Sequence, residues 1–393
     1  MRIGMILDKT FPPDPRVENE AVSLIKNGHE VFLFCLKYAE EKNEEVIKGI
    51  QVKRYQSSAL VYKLSALVYT VPFYTWLMSK KINHFLISNQ IESVHIHDIQ
   101  IAEAVFRANK KLNLNTVLDL HENRPEIMKF YPHLQKFPGK YLISSKKWKQ
   151  KEELFIKKAT KVIVVTEEAK TEIVKRVGKE PKNIVVVPNT VHKTYFKNAV
   201  YQKNIIEKYK ANFVLLYIGD TGLRRGLLTA IESISILKNR IPNIKLVIVG
   251  SNSSDKVLKE YVNDHNVQDF VDFEGWQNES LFPSYIKASS VCISPLHRNL
   301  HHDTTFANKI FQYMSFGKPL LVSDATSQKN IVEKAGAGLV HIAQDYNDFA
   351  EKVLELYFVE VLQQKLGGNG KKFIENHFYW EKTSEALIKL YLN

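Results

Sequence analysis

Short apolar runs rich in Val and Ile alternate along the whole chain with segments of helical period, and this alternation constrains the fold more than any other feature. "RIGMIL" precedes "PRVENEAVSLIKNG", in which Val17, Ala21, Leu24 and Ile25 share one helical face and Gly28 makes a stop. "EVFLFCL", "SVHIHD", "TVLDLHE", "KVIVVTEE" and "NIVVVPN" follow, most of them ahead of a polar or helical stretch. Strands that are apolar throughout are buried on both faces. That requires a parallel sheet with helices on either side, an α/β fold.

Around Phe196 to Asn212 the pattern gives way to the polar stretch "FKNAVYQKNIIEKYKAN", and a second series begins. Its runs are "FVLLYIGD", "IKLVIVGS", "FVDFEGW", "VCISPL", "PLLVSD" and "AGLVHIAQ". The 393 residues suit two such units rather than one core. We expect an N-terminal domain over 1–200 and a C-terminal domain over 201–375. The remainder, 376–393, ends in "YWEKTSEALIKLYLN", an amphipathic helix expected to pack back on the first domain.

Composition narrows the functional classes. With 45% hydrophobic and 25% charged residues the chain is an ordinary globular protein. Cys35 and Cys292 each sit inside an apolar run and read as core residues, not as a disulfide or metal ligands. The opening "MRIGMILDKTFPP" lacks the pattern of a secretory signal, and a cytoplasmic location is expected. The longest apolar run, Leu64 to Met78, has 15 residues and a proline, short of the ~20 that span a bilayer. The net charge of +13 admits nucleic acid, an anionic membrane or a phosphorylated ligand as partner. Its densest stretch is Lys140 to Lys161, with eight lysines, two glutamates and interleaved Tyr141, Trp148 and Phe155. It reads either as a solvated helix face or as a peripheral contact with an anionic membrane surface. No nucleic-acid recognition module accompanies the charge, so nucleic acid is not an expected partner.

In open parallel sheets the ligand lies beyond the carboxyl ends of the strands. There the second unit carries "YIGDTGLRRGL", a strand, a glycine-bounded turn and the paired cations Arg224 and Arg225. Glycines admit close backbone approach, and forked guanidinium groups suit a diphosphate. Lys309 stands at the start of the helix in "NKIFQYMSFGKPLLVSD", where it and Arg225 would flank one pyrophosphate. "HRNLHHDTTF" groups His297, His301 and His302 with Asp303, a set that suits sugar or solvent better than a metal.

The ordered set resembles the retaining glycosyltransferases of family 4, in the branch that builds polysaccharide and lipopolysaccharide. "PPDPRVENEAVSLIKNGHEV" is similar to the family's opening strand–loop–helix, and "VLDLHENRPE" to its Asp-x-His-Glu segment. "IVVVPNTV", "YIGDTGLRRGLLTAIESI", "VDFEGW" and "NKIFQYMSFGKPLLVSD" follow in the family's order over nearly the whole chain. The resemblance implies the GT-B fold, two Rossmann-like parallel-sheet domains facing a central cleft. It implies a sugar moved from a UDP- or GDP-linked donor to a glycan or lipid-linked acceptor in surface polysaccharide biosynthesis. It also implies no metal or other cofactor.

Carried over by position, the resemblance assigns Arg225 and Lys309 to the donor diphosphate, with Gly219, Arg224 and Gly250 beside it. The backbone near Trp276 would meet the base, Gln312 the ribose, and Asp303 the donor sugar. Arg16, His121 and Glu122 fall on the acceptor side, with His121, Arg225 and Lys309 as the catalytic candidates. There are departures. Asp220 replaces the first basic residue of the donor turn, Thr304 and Gln312 replace the two glutamates of a paired motif, and Thr190 replaces a glycine. A glutamine carbonyl still accepts a ribose hydroxyl proton, without charge assistance. The family's retention implies a same-face transfer in which the leaving diphosphate helps deprotonate the acceptor. The departures keep open a non-catalytic nucleotide- or glycan-binding module, and the fold alone would also suit a sugar-nucleotide epimerase.

Overall fold

The computed structural model describes residues 1–131, 134, 136–137 and 139–392. The chain divides into two units, one comprising Met1–Pro188 together with the chain from Ser384 on, the other Asn189–Thr383.

The first unit is built on an eight-stranded sheet. Its strands are β1 (Arg2–Ile6), β2 (Glu30–Lys37), β3 (Glu44–Ile47), β4 (Ile50–Gln56), β5 (Ser93–His97), β6 (Asn115–Asp119), β7 (Lys161–Val164) and β8 (Ile184–Val186). Their order is β3-β4-β2-β1-β5-β6-β7-β8. Every pair is parallel except β3–β4. That hairpin escapes a search for apolar runs because β3 is mostly exposed and β4 alternates. Its turn is Lys48-Gly49, both at positive φ (50° and 86°), as two-residue hairpins favour. Helix Pro15–Lys26 starts where Asp14 caps the Val17 N–H at 3.2 Å and Pro15 needs no donor partner.

The second unit has six parallel strands, β9 (Phe213–Ile218), β10 (Ile244–Val249), β11 (Val271–Gly275), β12 (Val291–Ser294), β13 (Leu320–Ser323) and β14 (Gly338–His341), ordered β11-β10-β9-β12-β13-β14. The two-residue period of a strand builds two cores at once. Along β9, Phe213, Leu215 and Tyr217 enter one cluster while Val214, Leu216 and Ile218 enter the other. β10 divides likewise, Leu246 and Ile248 against Val247 and Val249. Burying such a side chain contributes ~1.5–3 kcal/mol, so both faces of the sheet must be covered by helices.

Of the aromatic residues interleaved in the lysine-rich stretch, Tyr141 is exposed while Trp148 and Phe155 are buried. In helix Ser145–Lys158, Trp148 and Phe155 are buried in the core of the first unit, and Lys149 and Lys151 pair with Glu126 and Glu103. An amphipathic helix was legible here, but its apolar face meets protein. Among the described residues no helix is long and apolar enough to cross a membrane. Cys35 and Cys292 are buried and free.

Candidate functional site

In each sheet the connections reverse direction at one place, and loops at such a switch point form the ligand crevice. In the second unit that place lies between β9 and β12. The turn after β9 meets the loop after β12, with the His297 N–H donating to the Arg224 carbonyl at 3.1 Å. Gly226 makes this approach possible. Its φ is 77°, and a Cβ there would lie 1.7 Å from the Pro295 carbonyl oxygen. A Cβ on Gly250, at φ 138°, would lie 2.0 Å from the Gly219 carbonyl oxygen.

Lys309 comes up against this turn. Its Nζ sits 3.3 Å from the centroid of the Tyr217 ring and 3.3 Å from where a Cβ on Gly219 would be. This nitrogen is buried and has no hydrogen-bond acceptor among the described residues. Burial holds it well below the usual lysine range; Arg225 acts in the same direction and Asp220 opposes. A ring face offsets part of that desolvation. An anion placed here would supply the missing acceptor.

Asp220 has a physical account in the structure. Its carboxylate accepts from Arg225 Nε at 3.1 Å and from the Asn252 amide, with Arg224 at 3.7 Å. Burial pushes this carboxyl up, but Arg225, Asn252 and Arg224 outweigh that and hold it below the usual range. It is a local counter-ion that orients the two arginines. Arg224 also reaches His302 Nε2 at 3.1 Å. His302 in turn lies 2.7 Å from the His297 carbonyl. Burial brings His301 and His302 down to about 2 and about 3, so both are neutral.

The other donor-side candidates are placed as follows. Gln312 is half-buried, and its side-chain amide is unengaged among the described residues. Trp276 is exposed just beyond Gly275, whose carbonyl accepts from the Gly250 N–H at 2.7 Å. Asp303 is taken up internally, accepting from the Thr326 N–H at 2.8 Å and its hydroxyl at 3.0 Å, with Arg298 at 3.3 Å. Thr304 is buried and donates to the Leu300 carbonyl. The structure thus brings Gly219, Arg224, Arg225, Gly250 and Lys309 together around one turn and directs Asp303 elsewhere.

In the first unit the switch point lies between β1 and β5, where Asp8, Asp98 and His121 follow their strands. His121 Nε2 is 2.9 Å from Asp119 Oδ2 and 3.1 Å from His97 Nδ1, and its Nδ1 is 3.8 Å from Asp98. Burial pulls the imidazole down, yet Asp98 and Asp119 raise it to about 9, so it is a cation at neutral pH. Burial and the neighbouring His95 bring His97 down to about 3. Glu122 is bound to Arg124 at 2.9 Å.

Arg16 does not face a ligand surface. It is buried and grips Asp119 bidentately, Nε at 2.8 Å and Nη2 at 2.6 Å, while Nη1 donates to the Val187 carbonyl. Nη2 also lies 3.0 Å from Glu20. Burial raises Glu20 to about 7, whereas Asp119, between Arg16 and His121, is held ionised. Glu20, His95, His97 and Asp119 present four donor atoms within 4.8 Å of one another, a spacing a metal ion would accept. The cation resting on both carboxylates is the Arg16 guanidinium. The sequence marks "SVHIHD" and "VLDLHENRPE" as strand segments but assigns no role to Glu20, His95, His97, Asp98, Asp119 or Tyr391. The only signal was the dense His and Asp content at the ends of β5 and β6.

Comparison with known proteins adds a family. Residues 16–194 match the model described as Glycosyltransferase Family 4, and 201–373 match Glycosyl transferases group 1. The chain is 25% identical to the capsular polysaccharide biosynthesis glycosyltransferase CapM of Staphylococcus aureus, over 59% of this chain and 61% of that one. It is 26% identical to the UDP-Gal:alpha-D-GlcNAc-diphosphoundecaprenol alpha-1,3-galactosyltransferase of Escherichia coli, over 61% and 62%. It therefore spans about three fifths of the length of these curated relatives. Sucrose-phosphate synthase from Thermosynechococcus elongatus superposes with a TM-score of 0.80 at 18% identity, over 100% of this chain and 98% of that one. Anabaena HepE in complex with UDP gives 0.74 at 13%, over 99% of both. At these identities the structural likeness establishes the GT-B fold.

Proposed function

The chain belongs to glycosyltransferase family 4, and from that premise we propose that it transfers a sugar, with retention, from a UDP- or GDP-linked donor to a glycan or lipid-linked acceptor in surface polysaccharide assembly. The observation that carries the reading is Lys309, whose buried amine nitrogen has no acceptor among the described residues and lies beside the Gly219 turn and near Arg225. Such a group is costly to bury unless an anion meets it. A nucleotide diphosphate is the anion of matching charge. The UDP bound by HepE and the UDP-sugar donor named for the E. coli relative support that choice. CapM's role in capsule biosynthesis supports the polysaccharide context.

Charge development on the leaving diphosphate would be met by Arg224, Arg225 and Lys309, fixed before the reaction begins. Asp220, the carboxylate beside Arg224 and Arg225, is engaged by arginine, and the candidate Asp303 is engaged by Thr326. Neither is free to act as the nucleophile of a double displacement. That supports same-face transfer, with the leaving diphosphate taking the acceptor proton. His121, already a cation, would serve as a hydrogen-bond donor to the acceptor or its charge rather than as a base. Titration with UDP, GDP and ADP tests the reading, followed by incubation of the corresponding nucleotide-sugars with and without acceptor lipid. Selective binding of one diphosphate and acceptor-dependent release of it are expected. Binding without turnover of any donor would indicate a non-catalytic module, and a changed sugar without acceptor an epimerase.

A further inference from the structure

The first unit contains a cavity of about 580 Å³ that no part of the donor chemistry uses. Its volume falls in the ~300–1,000 Å³ range of small-molecule sites. Leu67, Met128, Ile143 and Trp148 give it an apolar wall, and Trp148 is seated in the core by an edge contact to Tyr69 at 4.8 Å. Among the described residues the charged ones lining it are Arg124 and Lys63, with no Asp or Glu. Arg124 is two residues past Glu122, to which one of its nitrogens is bound, while another lies 3.4 Å from Gln100. Its Nε has no partner among the described residues. Gln100 follows β5 and Arg124 follows β6, so the polar side of the cavity lies at the carboxyl ends of these strands, beside His121.

We propose that this cavity takes the apolar tail of a single lipid phosphate or diphosphate, with Arg124 and Lys63 receiving its anionic head. The proposal rests on the glycosyltransferase reading in naming the acceptor class, and three observations argue for it. The lining joins an apolar wall to two cations, Lys63 and Arg124, the latter sharing one nitrogen with Glu122 outside the lining, a pattern that suits an anionic amphiphile. Exposed Lys140, Lys146 and Lys147 continue the positive charge around the segments that form it. The site is concave, and the aromatic residues of helix Ser145–Lys158 point into it or into the core, so a lone chain fits where a flat bilayer surface does not. A head group at Arg124 would bring the sugar attached to it next to His121 and Glu122.

The test is calorimetric titration of the full chain with dodecyl phosphate below its critical micelle concentration, alongside inorganic phosphate and phosphatidylglycerol vesicles. Saturable one-to-one binding of dodecyl phosphate is expected, with none of inorganic phosphate at the same concentrations. Ala66→Trp, which fills the cavity, and Leu142→Asp, which sets a carboxylate in its wall, should each weaken that binding at least tenfold. Arg124→Gln should weaken it several-fold. A circular-dichroism spectrum and a thermal unfolding transition like those of wild type certify that the first unit of each variant is folded. Equal affinity in wild type and both cavity variants overturns the proposal, as does competition by inorganic phosphate at equal strength. So does binding of vesicles only, unaffected by Ala66→Trp. Failure here with nucleotide binding intact leaves the glycosyltransferase reading standing; loss of nucleotide binding alone sinks that reading and not the lipid site.

Discussion

The hydroxyl of Tyr391 lies 2.8 Å from Nδ1 of His95, a contact between residues 296 positions apart. Both side chains are buried. If the hydroxyl donates, the ring proton sits on Nε2, which faces Glu20 at 3.4 Å and Asp119 at 3.8 Å. The terminal helix Glu385–Leu392 thereby holds the network that in turn holds His121. Tyr391→Phe removes the donor and leaves a buried nitrogen unpaired, at a cost of about 1–3 kcal/mol. Thermal unfolding should shift down by a few degrees while nucleotide binding in the second unit is unchanged. An unshifted transition would mean the contact contributes nothing.

His121 sets a sign for pH dependence. Its folded-state value of about 9 lies above the 6.5 of a free imidazole, because Asp98 and Asp119 outweigh burial. The stabilisation from its charged form is complete below about pH 6.5 and is lost as pH rises through about 9. The gap in melting temperature between wild type and His121→Asn should be several degrees near pH 6 and close to zero near pH 10. A gap that widens with pH would show that His121 is neutral in the fold.

Lys309 should report nucleotide binding as a proton event. Burial and Arg225 favour its neutral form, and an arriving diphosphate favours the charged one. Between the lowered value and the usual lysine range, binding takes up a proton, measurable by calorimetry in buffers of different ionisation enthalpy. Lys309→Met should abolish the uptake. Lys309→Met and Arg225→Ala should each slow turnover about a hundredfold, equivalent to ~2.7 kcal/mol of lost transition-state stabilisation. Near-normal rates in both would remove these residues from the mechanism.

Gln312 tests the ribose assignment. A charged acceptor makes a hydrogen bond roughly twice as strong as a neutral one. Gln312→Glu should therefore tighten nucleoside diphosphate binding about fivefold, from a gain of about 1 kcal/mol, without changing affinity for inorganic pyrophosphate. An equal effect on both ligands would place Gln312 near phosphate, not ribose.

The strands were legible because residues such as Val247 and Val249 on one face of β10, and Leu246 and Ile248 on the other, must both be apolar when helices cover both faces. The β3–β4 hairpin was not, since exposed strands carry no apolar run. At the candidate site, sequence order marked the turn holding Gly219, Arg224 and Arg225, and Lys309 after it. It did not show that Arg16 would be neutralised by Asp119, a pairing across 103 residues. Nor did it show what the apolar face of helix Ser145–Lys158 meets, because periodicity reveals that a face is apolar but not what covers it. The engagement of Asp303 by Thr326 is of the same kind, a side-chain choice made in three dimensions.

The discontinuity of the first unit bears on how the protein is made. The second unit is one uninterrupted segment, Asn189–Thr383, whereas the first needs a helix translated after that whole segment. Domains otherwise tend to fold in the order of their synthesis. Here the earlier unit leaves the ribosome with the pocket for Leu387 and Tyr391 still open, and it waits through the translation of its neighbour for the piece that closes it. The unit begun first is thus closed only after the second has been made, and a chain that stops at Thr383 leaves His95 without the cover of Tyr391.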